Sequence, residues 1–275
     1  MAISAADVSK LRKMTGAGMM DCKKALTETG GDFEKAVDII RKKGQAVANK
    51  RADRDASEGV VLSKVSEDGK KGALFALNCE TDFVAKNESF IALTQSILDL
   101  ALASDAKTIE EVNELELNGM SIKEVITEQI GVIGEKLEIP YFEVINAGTV
   151  VSYIHPGNKL ATLVGLNQAN IDQQVGRDVA MQVAAMSPVS IDRDSVPKEV
   201  VERELEIAKE QSRLEGKPEE MIDKIAQGRL SKFFKESTLL DQVFVKDGKI
   251  SIREYLQQTD KALTVTDFKR FSLNN

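Results

Sequence analysis

The chain has 275 residues, 42% of them hydrophobic, enough for one large core or two modest ones. Its net charge of −7 argues against a dedicated nucleic-acid binder, which needs a basic face to neutralise phosphates. A single histidine, His155, rules out a two-histidine metal site within one chain, and the two cysteines, Cys22 and Cys79, lie too far apart to suggest a disulfide framework.

The charge is uneven. Residues 1–55 carry twelve Lys and Arg against eight Asp and Glu, a net of +4, which leaves −11 on the rest. A basic N-terminal piece therefore precedes an acidic body. No apolar run approaches the ~20 residues needed to span a bilayer. The start of the chain has neither a basic nor an apolar stretch, so no signal peptide is expected and the cytoplasm is the expected location. There is no Gly-x-x-x-x-Gly-Lys-[Ser/Thr] phosphate loop and no Gly-x-Gly-x-x-Gly after a strand. Aromatics are 5% with no Trp, too sparse for a platform that stacks bases. No cofactor, no metal and no covalent catalysis are expected, although paired carboxylates remain open because acidic residues are abundant.

Residues 4–43 read as three short helices. Ser4 and Asp7 resemble a capping box, and Val8, Leu11 and Met14 have helical spacing. Thr15-Gly16-Ala17-Gly18 breaks the pattern, and a second helix begins near Met19 and runs to about Glu28. Gly30-Gly31 ends it, and Asp32 can cap a third helix with Phe33, Val37 and Ile40 on one face. Arg41-Lys42-Lys43 suits a helix C-terminus, and Gly44 is expected to close that helix. Residues 45–57 read as a polar linker or a linking helix.

Residues 59–65, 67–70 and 72–79 read strand, turn, strand, and an apolar helix follows over 89–103. A helix near 121–131 and a strand near 137–144 come next, and Pro140 disfavours a central position for that strand's start. The hairpin pattern returns at 148–154, 155–158 and 159–167, again followed by a helix, over 172–186. Gly-Val-Val-Leu-Ser-Lys-Val aligns with Thr-Val-Val-Ser-Tyr-Ile. This reads as an internal duplication, with chance likeness of two amphipathic hairpins as the alternative. Residues 197–235 read as two helices joined at Gly216-Lys217-Pro218. Their narrow stripes, Val201, Leu205 and Ala208 on one and Ile222, Ile225 or Ala226, and Phe233 on the other, suit a coiled hairpin. A helix near 251–257 and a strand near 261–271 end the chain. The expected fold class is α+β, with boundaries at 1–52 for a three-helix domain, 53–140 for one core subdomain and 141–275 for a second, the latter interrupted by the helical hairpin at about 188–236.

Three features stand out for function. Met19 and Met20 are adjacent, so they point about 100° apart on a helix and cannot both face one small core. At least one is expected at the surface, either as a soft contact or idle. Phe83 is the large apolar residue of Glu80-Thr81-Asp82-Phe83-Val84-Ala85-Lys86, a loop between a strand and a helix. It can project as a contact or pack under the helix start, and composition by itself favours packing. His155 lies in the turn of the second hairpin with no local partner for catalysis.

Residues 15–26, Thr-Gly-Ala-Gly-Met-Met-Asp-Cys-Lys-Lys-Ala-Leu, with Gly31-Asp32-Phe33-Glu34-Lys35-Ala36, resemble the N-terminal signature of the bacterial translation elongation factor Ts family. Residues 78–86, Asn-Cys-Glu-Thr-Asp-Phe-Val-Ala-Lys, resemble its second signature. The hairpin with His155 and the Gly-Lys-Pro helical hairpin follow in the family's order, so the resemblance covers almost the whole chain.

The resemblance implies a guanine-nucleotide exchange factor for elongation factor Tu that promotes GDP release by disturbing the partner's magnesium and phosphate site. It implies an N-terminal domain similar to ubiquitin-associated folds, a core of two related subdomains, and a protruding coiled coil that dimerises some members, here residues 197–235. It also implies residue roles. Thr81, Asp82, Phe83 and Val84 match the segment that enters the partner's GTPase domain. Arg12, Met19, Met20, Ile133, Gly134 and His155 match further contacts to the partner. Two departures stand out. The chain stops four residues after Phe271, where many members continue into a helix that touches the partner, and Pro156 replaces a common glycine. Rival readings are an RNA-binding regulator using the basic residues of 41–54, and, more remotely, a hydrolase using paired carboxylates.

Overall fold

Helices and strands are mixed along residues 3–274, the part described by the computed structural model, and the fold class is α+β. The chain divides into two units. One takes the chain through Leu62 together with Phe75–Glu143, the other Ser63–Leu74 together with Val144–Ser272.

In the first unit, α1 (Ala5–Thr15) opens on the capping box of Ser4 and Asp7. Helix α2 (Met19–Glu28) follows, and Asp32 caps α3 (Phe33–Arg51) by accepting the Lys35 N–H. These caps satisfy backbone donors that a helix start leaves without partners. Val8, Leu11, Cys22, Ala25, Leu26 and Ala36 form the buried core of the three helices, with Phe33, Val37 and Ile40 packed against it. Strands β1 (Glu58–Val65) and β2 (Lys71–Cys79) make the first hairpin, of which Ser63–Leu74 is assigned to the second unit. The short α4 (Asp82–Ala85) leads into α5 (Glu88–Ala103), whose Phe90, Thr94, Ile97, Leu98 and Ala101 are buried. After α6 (Ile109–Asn113) and the two-residue strands β3 (Glu116–Leu117) and β4 (Met120–Ser121), Ser121 and Glu124 form another capping box for α7 (Ile122–Ile133). Strand β5 (Glu138–Asn146) completes a sheet in the order β1-β2-β5, so Pro140 sits on an edge strand where its missing N–H is tolerated.

Gly44 does not close the third helix. Helix α3 continues past it to Arg51 and packs along α7. Gly44 is buried, and a Cβ there would lie 3.3 Å from the Thr127 carbonyl oxygen. A Cβ on Gly131 would lie 2.5 Å from the Cα of Gly44. The two helices touch backbone to backbone at this pair. Glycine's interior helix penalty of roughly 1 kcal/mol is outweighed by a contact that no side chain permits.

In the second unit, β6 (Thr149–Ile154) and β7 (Leu160–Leu166) form the second hairpin, and α8 (Gln173–Met186) returns over it. The register runs from Thr149 opposite Leu166 to Ile154 opposite Ala161. The Thr162 hydroxyl, buried in this unit, donates to the Ala180 carbonyl at 3.0 Å and ties sheet to helix. Helices α9 (Lys198–Leu214) and α10 (Glu219–Ser237) pack on each other. Pro197 and Pro218 stand just outside the helices at the capping positions, not in their first turns. Ala208, Ile222, Ala226 and Leu230 are buried, as is Phe234, whereas Phe233 is half-buried. Strands β8 (Val243–Phe244) and β9 (Asp247–Ser251) and helix α11 (Ile252–Thr259) precede β10 (Val265–Ser272), which pairs antiparallel with β7. The last strand starts later than residue 261 because the Asp260 carboxylate accepts the Ala262 N–H at 2.8 Å and holds a turn there. The core gathers Val164, Leu166, Val179, Val183, Leu239, Leu240, Ile252 and Leu256.

Two glycine substitutions should move stability in opposite directions. Gly131→Ala drives a methyl group into backbone and is expected to cost about 1–3 kcal/mol. Gly228→Ala, inside α10 with nothing within 4 Å of the new methyl group, is expected to stabilise by about 0.5–1 kcal/mol. Urea unfolding midpoints measure both, and an unshifted midpoint for Gly131→Ala would refute the tight contact.

Candidate functional site

Phe83 is the most exposed large apolar side chain of the described residues, at 83%. It does not pack under the helix start. Helix α4 is one short turn, and Thr81 caps it by accepting the Val84 N–H at 3.4 Å. Val84 is half-buried and Ala85 is buried, so the turn faces inward on that side and directs Phe83 outward. Asp82 pairs with Lys86 at 2.6 Å, one turn on. That pair raises the Lys86 pKa above the usual lysine value, chiefly through the hydrogen bond to Asp82. Asn87 then caps α5 by accepting the Ser89 N–H at 2.9 Å. The Phe83 turn is thus capped at its own start and stopped by the cap of the next helix.

The strand before it is anchored by two carboxylates. Glu135 accepts the N–H groups of Glu80 and Thr81 at 3.1 and 3.0 Å on one oxygen, and the Thr81 hydroxyl at 2.7 Å on the other. Glu80 reciprocates by accepting the Lys136 N–H at 2.7 Å and one Arg51 nitrogen at 3.0 and 2.8 Å. Desolvation pushes the Glu80 pKa up, but the Lys136 N–H and Arg51 outweigh it and hold the carboxyl below the usual glutamate value. Beside them Cys79 is buried, and burial followed by the Glu135 charge pushes its thiol up to about 12. It is a poor nucleophile there.

Ile133 and Gly134 lie at the same place. Ile133 is the last residue of α7 and half-buried. Gly134 follows in the left-handed conformation at φ 80°, donating its N–H to the Ile130 carbonyl at 2.8 Å. That turn delivers Glu135 to Thr81, and it needs glycine because other residues rarely adopt this φ. Ile133 and Gly134 therefore adjoin Glu135, whose side chain holds Thr81. Arg12 is exposed near the end of α1. Met19 and Met20 open α2, and both are exposed, at 45% and 75%. Met14, which shares helical spacing with the buried Val8 and Leu11, is itself 58% exposed, so residues 14–20 carry three exposed methionines.

His155 belongs to the second unit and is exposed at the end of β6. Its N–H donates to the Leu160 carbonyl at 2.9 Å and closes the hairpin, so Pro156 is accommodated in the turn. Its Nδ1 lies 3.0 Å from the Tyr153 hydroxyl.

Glu80 and Arg51 lie in stretches that stand out in the sequence but carry no role there, and Glu135 does not stand out at all. Arg51 lay in the basic stretch, and nothing local marks a carboxylate 54 residues from Thr81 as its partner. Three basic side chains of residues 41–54 are matched by carboxylates: Arg41 by Glu128 at 2.7 Å, Lys43 by Asp21, and Arg51 by Glu80. These pairs reduce the charge this stretch can offer to phosphates. Among the described residues, no three His, Cys, Asp or Glu form a group that could hold a metal ion, and no helix is long and apolar enough to cross a membrane.

The family described as Elongation factor TS matches residues 80–275. The chain is 54% identical over 275 residues to Elongation factor Ts of Porphyromonas gingivalis, covering 100% of this chain and 99% of that protein. It is 53% identical over 272 residues to Elongation factor Ts of Amoebophilus asiaticus, covering 98% of each. Elongation factor Ts of Cytophaga hutchinsonii is 52% identical over 275 residues, covering 99% of each.

The Glu80 carboxylate makes stability depend on pH. Its folded pKa lies below the usual value, so its contribution is present above the usual glutamate pKa and is lost as pH falls through the folded one. Glu80→Gln is expected to flatten the acid limb of stability below the usual glutamate pKa. Urea unfolding across that range checks it, and an unchanged slope would remove Glu80 as the source.

Proposed function

The chain belongs to the elongation factor Ts family, and from that premise we propose that it is a guanine-nucleotide exchange factor for elongation factor Tu in translation, acting in the cytoplasm with no covalent chemistry or cofactor of its own. The single observation that carries the mechanism is Phe83, an apolar side chain held out in water on an anchored turn. In this reading Phe83 wedges into an apolar pocket of the partner's GTPase domain. Thr81 and Val84 hold the turn, and Asp82 rearranges polar contacts around the partner's magnesium rather than transferring a proton. Arg12, Met19, Met20, Ile133, Gly134 and His155 make the remaining contacts.

The energetics suit a binder without a nucleotide site. P-loop GTPases hold the nucleotide phosphates on backbone N–H groups, with Mg²⁺ bridging them to the protein. A protein that binds the nucleotide-free state more tightly must weaken nucleotide binding by the same free energy. Burying Phe83 would contribute about 1.5–3 kcal/mol to that preference. Exposed methionines add adaptable contact area.

The finer architecture follows the same premise. We read α1–α3 as a small domain similar to ubiquitin-associated folds, the two hairpin-plus-helix segments as related subdomains, and α9–α10 as a coiled coil through which two copies can pair. Boundaries near residues 52, 140 and 188–236 go with that reading.

Phe83→Ala should leave the fold intact, because the side chain is exposed, and slow stimulated GDP release by about tenfold to hundredfold. Stopped-flow fluorescence of labelled GDP on elongation factor Tu measures the rate, with circular dichroism as the fold control. A release rate equal to that of the unaltered chain would eliminate the wedge.

A further inference from the structure

We infer that Glu135 is a positioning residue for exchange, acting through Thr81 to hold the Phe83 turn in its projecting conformation. The inference rests on the exchange reading above and adds a residue to it.

The hydrogen bonds point one way. Glu135 receives three donors, all from Glu80 and Thr81, the two residues that enter the turn. Two of those donors are backbone, so they fix the path of the chain and not merely a side chain. The third is the Thr81 hydroxyl, and its direction matters. By donating to Glu135 at 2.7 Å the hydroxyl keeps a lone pair for the Val84 N–H at 3.4 Å. The cap of α4 is therefore set by Glu135 at one remove. Phe83 lies between Thr81, held in this way, and Ala85, which is buried.

Glu135 is itself held. Gly134 turns the chain toward it, and the Glu80 carboxylate accepts the N–H of Lys136. With three donors already on its two oxygens, Glu135 is committed to its own chain. That favours positioning over direct contact with a partner. An exposed phenylalanine gains by folding back onto apolar surface, so a loosened turn would lose the projecting conformer and with it the part of the rate that Phe83 supplies.

The test uses the full chain with GDP-loaded elongation factor Tu. Glu135→Ala is expected to lower the maximal rate of GDP release by up to the factor lost in Phe83→Ala, about tenfold to hundredfold, with little change in the half-saturating concentration. The double variant Glu135→Ala/Phe83→Ala should be no slower than Phe83→Ala alone, because both act through one side chain. Glu135→Gln, whose amide oxygen still accepts backbone N–H groups, should restore most of the rate. A Glu135→Ala chain at the unaltered rate, or a double variant slower by the product of the two losses, overturns the inference. Amide hydrogen exchange on the free chain reads the turn without the partner. Glu135→Ala should speed exchange at Thr81 and Val84 about tenfold or more while α5 stays protected, and unchanged exchange overturns the inference. A chain that fails to release GDP would sink the exchange reading, and hydrogen exchange would still judge Glu135. Should Glu135→Ala unfold at assay temperature, Thr81→Val removes the hydroxyl's bond to Glu135 together with the cap on the Val84 N–H, leaves the two backbone donors in place, and carries the same expectations.

Discussion

An apolar side chain in water needs a reason to stay there. Phe83 would gain roughly 1.5–3 kcal/mol by burial, and a four-residue helix has no stability of its own to oppose that. What opposes it is the reciprocal exchange between Glu80 and Glu135. Each carboxylate accepts the backbone N–H of the residue beside the other, so two chain segments 54 residues apart lock each other. Arg51, from the end of α3, closes the same contact from a third segment. Charge-assisted hydrogen bonds are the stronger kind, and here they are used on backbone, where they set geometry.

The lock depends on packing further back. Glu135 arrives at Thr81 because α7 ends at Ile133 and Gly134 reverses the chain. Helix α7 is in turn set against α3 by the approach of Gly44 to Gly131. Arg51 reaches Glu80 because α3 does not stop at Gly44. One misplaced methyl group at the glycine pair would shift both helices that supply the lock. The function proposed for Phe83 thus rests on a helix contact that involves no functional residue.

Much of the secondary structure was legible. Ser4, Asp32 and Ser121 sit at helix starts because short polar side chains cap free N–H groups, a local effect that sequence spacing records. The hairpins were legible because alternation and turn residues are also local. The site was only half legible. Its residues came from likeness to a family, whereas the chemistry of residues 80–86 alone favoured a buried Phe83. Gly44 was misread for a related reason. A glycine after a basic run has the composition of a helix end, and only the neighbouring helix reveals it as a contact.

By itself the sequence determined most of the longer helices and the two main hairpins, the lack of common catalytic motifs, and the family to which the chain belongs. Those follow from near-neighbour periodicity, from residue inventory, and from signatures that are contiguous in the chain. Tertiary structure alone decided that Phe83 points to solvent, that Glu135 and Arg51 converge on its turn, and that basic residues of 41–54 are matched by carboxylates. The last two are bonds between residues far apart in sequence, which leave no period for a reader to find, and the first depends on them.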